Sequence, residues 1–316
     1  MLAAIAAMNA ITGIAIAFTL APLSWGLDAR VFRDGAIAVA DDRWAVGFFY
    51  TPVAALAATP LTWLSPDLAA TVMMLLELLV LVIGTWWVTR RLATADRLLI
   101  LVAAIGFAPV VNELLLGQVT ILIGATIWLV RDQDTLVRGV PLGIVLALVP
   151  KPLLVPLLVW MVVWRRRALA GALATALAIT CCGLLLLGPE PYVRWGGALV
   201  EAGSVARHGN LALTSVAPLP VAVVAGAAVV AVTSWAIMFD RRLGFVFALI
   251  AGLLLTPYTL LYSASVLLVA AEPAAQLARI RAAGLALVAN IVMVVAFPAW
   301  CAAAMVSLLP WRRGER

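Results

Sequence analysis

The sequence predicts an all-α fold, a polytopic transmembrane bundle of about 9–11 membrane helices, some short or broken. Three observations carry that prediction. Hydrophobic residues make up 66% of the 316 residues and charged residues only 11%, where soluble domains run at roughly 45–50% and 25%. The apolar residues fall in runs of about 20, the length that crosses a hydrocarbon layer at about 1.5 Å per residue. The runs are continuous, without the alternation of polar and apolar residues that a membrane β-barrel needs. Helices follow, because backbone groups in lipid must bond within their own segment.

The elements follow in chain order. A first helix is expected over 2–21; its N-terminus has no basic residues and its apolar run exceeds that of a signal peptide, so it is expected to be retained. A polar stretch, 22–47, holds Asp28, Asp34, Asp41 and Asp42 among three arginines, with an interfacial helix over about 28–40. Residues 48–64 are interrupted by Pro52 and Pro60, and they either span or re-enter. A helix over 67–89 ends at Arg90–Arg91. The region 98–130 is broken at Pro109, Asn112–Glu113 and Gly117–Gln118. The region 139–164 is broken at Pro150–Lys151–Pro152 and stopped by Arg165–Arg167. Helices over 168–188 and 211–239 flank a second polar loop, 189–210. A segment over 243–271 breaks at Thr256–Pro257–Tyr258, and a last span covers 284–309. The whole chain, 1–316, reads as one transmembrane domain.

The positive charge lies in short arginine clusters at 90–97, 131–138, 165–167, 241–242, 279–281 and 312–316. Such clusters face the cytoplasm, which puts the two longer loops outside. If 48–64 spans, Arg90–Arg91 falls on the wrong side. The broken segments are expected to be pairs of short helices whose polar tips at Asn112–Gln118, Lys151 and Tyr258 share an outward cavity, since irregular backbone at membrane depth needs protein or water around it. A basic nucleic-acid-binding face is absent from the pattern. Cys181, Cys182 and Cys301 read as small core residues, and a single histidine argues against zinc.

Several residues carry chemistry. Lys151 is the sole lysine, set between two prolines; it either holds a phosphate or snorkels from a helix end. Asp28 either takes a proton from an acceptor hydroxyl or caps the interfacial helix. Asp41–Asp42 suit solvated or capping roles better than a metal pair. Asn112, Glu113 and Gln118 flank a break and are candidates for binding a polar ligand. Glu77, mid-span, pairs within the bundle or serves structure. Arg207, His208 and Asn210 end the second loop, where His208 can assist proton transfer, bind a leaving phosphate or remain solvated. Tyr258 and Tyr262 suit a site or the membrane interface.

Taken in order, the pieces resemble integral-membrane glycosyltransferases of the GT-C type, most closely glycosyltransferase family 87. They are Asp28 after the first helix, Phe49–Tyr50–Thr51–Pro52, Pro60–Leu61, Gly117–Gln118–Val119, Lys151–Pro152 with Pro156, Arg165–Arg167, Gly209–Asn210–Leu211, and Thr256–Pro257–Tyr258 with Tyr262. They cover roughly residues 20–270. Thr51 stands where the family usually has proline, and Ser263 where an Asp or His is common.

The resemblance implies inverting transfer of a sugar, typically mannose, from a polyprenyl-phosphate donor to a lipid or glycan acceptor. It implies Asp28 as general base, and no nucleotide, metal or other cofactor. Tyr50 joins Lys151, Gln118, Asn112, Glu113, Arg207, His208, Asn210 and Tyr258 as expected substrate-binding residues, with Lys151 assigned to the donor phosphate by its charge. The expected partners are the donor, the acceptor and membrane lipids, with no nucleic acid. The expected location is a cell membrane, multi-pass, with the active site on the non-cytoplasmic side; the Ala/Val/Leu/Arg-rich usage points to a bacterium and its envelope. The alternatives are a transporter or flippase of a lipid-linked or polar solute, and a catalytically inactive relative.

Overall fold

In the computed structural model, residues 2–45, 47–205, 217–256 and 261–270 are described. They form thirteen α-helices and three short 3-10 segments, with no strand among the described residues. Helix α1 covers Leu2–Ser24, α2 Leu27–Ala40, and α3 Pro52–Ala58, the last followed by a 3-10 turn at Thr59–Trp63. Helix α4 covers Pro66–Val88, α5 Thr94–Ile105, α6 Ala108–Leu116 and α7 Thr120–Asp132. Helix α8 covers Leu136–Leu148; a 3-10 turn at Pro152–Leu154 leads into α9, Val155–Trp164. Then come α10, Arg166–Leu187, α11, Glu190–Val205, α12, Leu219–Phe239, and α13, Arg241–Leu255, before a 3-10 segment at Leu261–Ala270.

Three of these, α4, α10 and α12, are long and apolar enough to cross a membrane alone. The pair α5 and α6, bent by 62° at Gly106–Phe107, passes the same test together. Shorter apolar helices fill the rest of the bundle. The polarity is that of a membrane protein. Leu68, Leu75, Leu79, Ile83 and Trp87 of α4 are exposed, while Glu77 on the same helix is wholly buried. In water such an apolar exterior would be unfavourable by about 25 cal/mol per Å²; in lipid it carries no such penalty.

Helix α13 occupies the centre. Every residue from Leu243 to Leu254 is buried, as expected of a helix that is apolar all round. The indole of Trp160 packs edge-on to Phe245, 5.1 Å between ring centres, and donates to the Arg241 carbonyl at 2.9 Å.

Helices α8 and α10 pack more closely than bulky side chains permit. Gly139 and Gly143 are spaced as in a GxxxG motif, which lets helix backbones touch in lipid. A Cβ on Gly139 would overlap the Ala168 carbonyl, one on Gly143 the Ala172 carbonyl, and one on Gly171 the Leu136 carbonyl.

The two ends of the bundle differ in kind. At one end the arginine clusters gather. The buried Arg165 guanidinium donates from Nε to the carbonyls of Val130, 3.0 Å, and Arg131, 3.2 Å, the last turn of α7. Asp134 caps the start of α10 through the Ala168 amide at 2.9 Å. At the other end the polar loops meet the helix tips. The Gly26 amide donates to the Leu115 carbonyl at 2.7 Å, the Thr51 hydroxyl to the Ala147 carbonyl at 2.7 Å, and the Trp195 indole to the Phe49 carbonyl at 3.0 Å. Arg194 of α11 pairs with Asp42 and Glu190.

Two expectations are sharpened by this architecture. Residues 48–64 do not form a crossing helix: α3 has seven residues, about 10 Å long at 1.5 Å per residue. Cys181 and Cys182 are exposed free thiols on α10, not core residues, because the face of α10 that packs on α8 is the one carrying Ala168, Gly171 and Ala172. Cys301 and the last predicted span lie outside the described residues.

The α8–α10 contact yields a test. Gly143→Leu is expected to cost about 1–3 kcal/mol through overpacking, read as a lower thermal midpoint in detergent. Gly84→Leu, where an added Cβ has no neighbour within 4 Å, should leave the midpoint unchanged.

Candidate functional site

The site is assembled from four breaks in the helices. The first is the turn between α1 and α2. Gly26, at φ 64°, starts α2, and its Cβ would overlap that of Ala70, so only glycine fits this left-handed corner. Asp28 follows in the first turn of α2. It is not the helix cap, since no side-chain capping bond forms there; its carboxylate instead turns into the bundle and accepts a hydrogen bond from the Gln118 side chain.

Gln118 comes from the second break, where α6 ends on Gly117 in the left-handed region, φ 70°. A Cβ there would stand 2.9 Å from that of Ala29, so the tip of α6 rests on α2 beside Asp28. Gln118 is fully buried. Its Nε2 also donates to the Tyr50 hydroxyl at 2.7 Å, while its Oε1 accepts from the Val119 amide at 3.1 Å. Tyr50 in turn stacks on Phe32 of α2, 4.3 Å between ring centres.

The third break, Pro150–Lys151–Pro152, cannot continue a helix because proline lacks an amide hydrogen and fixes φ. Lys151 is half-buried. Its Nζ donates to the Thr120 hydroxyl, 2.9 Å, at the start of α7, and its charge interacts with those of Glu113, Asp28 and Glu77. The expected convergence of Asp28 and Lys151 is therefore present in the structure.

Behind Lys151 lie two wholly buried glutamates. Glu113 Oε1 accepts from the Ile121 amide at 2.6 Å, which caps α7 from outside the helix; such amides have no partner within it. Glu113 Oε2 accepts from the Ser265 hydroxyl. Glu77 sits beside Glu113, and neither of its oxygens has a hydrogen bond of normal geometry.

Burial pushes the Asp28 carboxyl above its ordinary value, against the opposing pull of the Gln118 bond and the Lys151 charge. An ionised carboxylate bonded to an amide donor and facing an ammonium can take a proton from a bound hydroxyl. The ammonium can receive an anionic group.

The structure unites Asp28, Tyr50, Glu113, Gln118 and Lys151. Asn112 stands half-buried on α6, about 100° around the helix from Glu113, and no hydrogen bond ties it to the group among the described residues. Arg207, His208, Asn210 and Tyr258 lie outside the described residues. Sequence reasoning left Glu77 without a partner and missed Thr120 and Ser265, because a lone hydroxyl in an apolar run carries no signal of its neighbours. No group of three or more metal-ligating side chains occurs among the described residues.

The cap on α7 can be tested. Glu113→Ala leaves the Ile121 amide and the Ser265 hydroxyl without their acceptor and should cost about 2–4 kcal/mol, measured by unfolding in detergent. Glu113→Gln, which keeps one carbonyl oxygen, should lose less.

Compared with known proteins, the chain matches the family Glycosyltransferase family 87 over residues 48–264. No curated protein and no solved structure matches it. The matched stretch contains Tyr50, Glu77, Glu113, Gln118 and Lys151, whereas Asp28 precedes it. Since the match covers more than half of the chain, this protein belongs to glycosyltransferase family 87, a membrane-associated glycosyltransferase acting between a sugar donor and an acceptor.

Proposed function

We propose that this glycosyltransferase moves a hexose, mannose by family resemblance, from a polyprenyl-phosphate donor to a lipid or glycan acceptor. The carrying observation is that Asp28 and Lys151, on separate breaks of the bundle, interact electrostatically across one site.

In the proposed reaction an acceptor hydroxyl oxygen attacks the anomeric carbon from the face opposite the phosphate. The bond from that carbon to the phosphate oxygen breaks, so the configuration inverts. The hydroxyl proton passes to Asp28, and the electron pair leaves with the polyprenyl phosphate, whose growing negative charge is stabilised by Lys151. Stabilising charge that develops only in the transition state is a large source of rate in a water-poor site. Gln118 orients Asp28 through one amide hydrogen and is itself held by Tyr50.

The site is proposed to open on the non-cytoplasmic side, with 22–47 as the outer catalytic loop and 189–210 as the second outer loop. Two features support this orientation. With α3 too short to cross, α1 and α4 become consecutive crossings, and the Arg90 conflict disappears under the positive-inside rule. Arg131, Arg165 and Arg241 then share the opposite end of the bundle from Asp28.

Asp28→Asn is expected to lower kcat about 10²–10⁴-fold, the usual contribution of a general base, with the donor KM little changed. The assay is sugar transfer by purified protein supplied with polyprenyl-phosphate sugars and candidate acceptors. A variant turning over at the wild-type rate would remove Asp28 from this role.

The pH profile gives a second check. The base works ionised, and its carboxyl titrates above the ordinary aspartate value, so kcat should fall on the acid side with a midpoint above that value. Gln118→Leu removes a bond that favours the ionised form, which moves this limb to higher pH. A limb that stays in place in that variant contradicts the assignment.

A further inference from the structure

We propose that Thr120 is a positioning residue that aims the Lys151 ammonium at the donor phosphate, and that the stretch Gln118–Val119–Thr120 sets the spacing between that cation and the Asp28 base. The inference rests on the reading above, in which Asp28 and Lys151 serve the two ends of the reaction, and extends it to a residue that touches no substrate.

Thr120 is the first residue of α7 and is fully buried. A threonine within a helix commonly sends its hydroxyl to a carbonyl three or four residues back in the same helix. Thr71, Thr89 and Thr126 do so, to the carbonyls of Asp67, Thr85 and Ile123. At the first position of α7 the helix offers no such carbonyl. The Thr120 hydroxyl instead accepts from Lys151 Nζ at 2.9 Å, and its side chain makes no other hydrogen bond among the described residues. Nor is it needed as a cap, because the Ile121 amide is taken by Glu113 at 2.6 Å. Contact with the cation is what accounts for a hydroxyl at this place.

Lys151 needs such a contact. Pro150 and Pro152 restrict the backbone around it, but its side chain is a flexible four-carbon stem ending in a point charge. An ammonium carries three hydrogens, and giving one to a fixed oxygen sets the directions of the other two. A displacement of about 1 Å in a positioned group can cost about a hundredfold in rate, so the oxygen has to stay still. Thr120 does: the Ile121 amide after it is bonded to Glu113, and the Ile123 amide donates to the Val119 carbonyl before it at 3.0 Å.

The same turn holds the base. Gln118, two residues ahead of Thr120, bonds Asp28, and its Oε1 accepts from the Val119 amide at 3.1 Å. Residues two apart in sequence are separated by at most about 7 Å along the chain. The anchor of the base and the anchor of the cation therefore belong to one short, internally bonded piece of backbone.

The test uses the fact that Lys151 is the only lysine in the chain. Protein made with lysine 13C-labelled at Cε gives one methylene signal, whose two protons differ when the side chain is fixed and merge when it rotates. In ligand-free wild-type protein in detergent the two protons should be resolved. In Thr120→Val, which keeps the shape and removes the acceptor, they should merge; Thr120→Ser, which keeps the hydroxyl, should restore the separation. In the transfer assay Thr120→Val should lower kcat/KM for the donor about ten- to hundredfold, the worth of one hydrogen bond to a charged group, and Thr120→Ser should recover most of it. The acceptor KM and the acid limb of the pH profile should stay near wild type, since Gln118 still holds Asp28. Thermal unfolding of each variant accompanies these measurements, and Thr120→Ala takes the place of Thr120→Val should the latter not fold.

A Lys151 signal unchanged in the folded variant lacking the hydroxyl overturns the proposal. So does a fall in activity that only follows the amount of folded protein, the pattern of a purely structural residue. A merged signal with unchanged kcat/KM for the donor overturns the link to the phosphate. A merged signal, in a protein whose wild type is inactive on every polyprenyl-phosphate sugar, leaves the anchoring of Lys151 standing and counts against the proposed donor class.

Discussion

Charge inside an apolar bundle has to be balanced locally, since neither water nor salt screens it there. Around Lys151 three acidic side chains are brought from three different helices, and much of the surrounding architecture follows from bringing them. Asp28 arrives because Gly26 turns α2 back over the bundle. Glu113 arrives because α6 meets α5 at 62° and ends at the same depth as Lys151. Glu77 arrives because α4 turns its mid-helix acid inward and its leucines outward. Proline on each side of Lys151 stops the helix there and leaves the side chain at the tip.

The same logic explains the irregular backbone. Each break frees amide and carbonyl groups that lipid cannot satisfy, and each is satisfied by a side chain or a tip from elsewhere. The Leu115 carbonyl at the end of α6 takes the Gly26 amide; the Ala147 carbonyl at the end of α8 takes the Thr51 hydroxyl; the Ile121 amide finds Glu113. Thr51 thus does in one residue what a proline at that position could not, because it caps α3 through the Ala54 amide while tying it to α8. The breaks that create the site also hold its walls together.

Much of this was legible in the sequence. Long apolar runs with arginine punctuation specify the bundle, and the interfacial helix read over 28–40 is α2, Leu27–Ala40, because its four charged residues and glycine cannot continue a span. The breaks at Gly117–Gln118 and at Pro150–Lys151–Pro152 are where the chain turns, for the backbone reasons proline and glycine impose. The convergence of Asp28 with Lys151 follows from pairing short helices so that their polar tips share one end. Other features had no readable signal. Nothing in Arg165–Arg166–Arg167 distinguishes the first as the one that turns inward. A mid-span acid such as Glu77 announces a polar neighbour without naming it. The length of α3 depended on how Pro52 and Pro60 are used: Pro52 opens the helix, whereas Pro60 falls in the 3-10 turn that ends it.

Helix α7 is clamped at both ends. Its thirteen residues are held at the start by Glu113 and at the finish by Arg165, each reaching in from another part of the chain, with opposite charges matched to the two poles of the helix dipole. A rod clamped in this way cannot slide along its axis without uncovering one pole or the other. Because Thr120 at its first turn accepts from the Lys151 ammonium, the cation stands on a fixed floor.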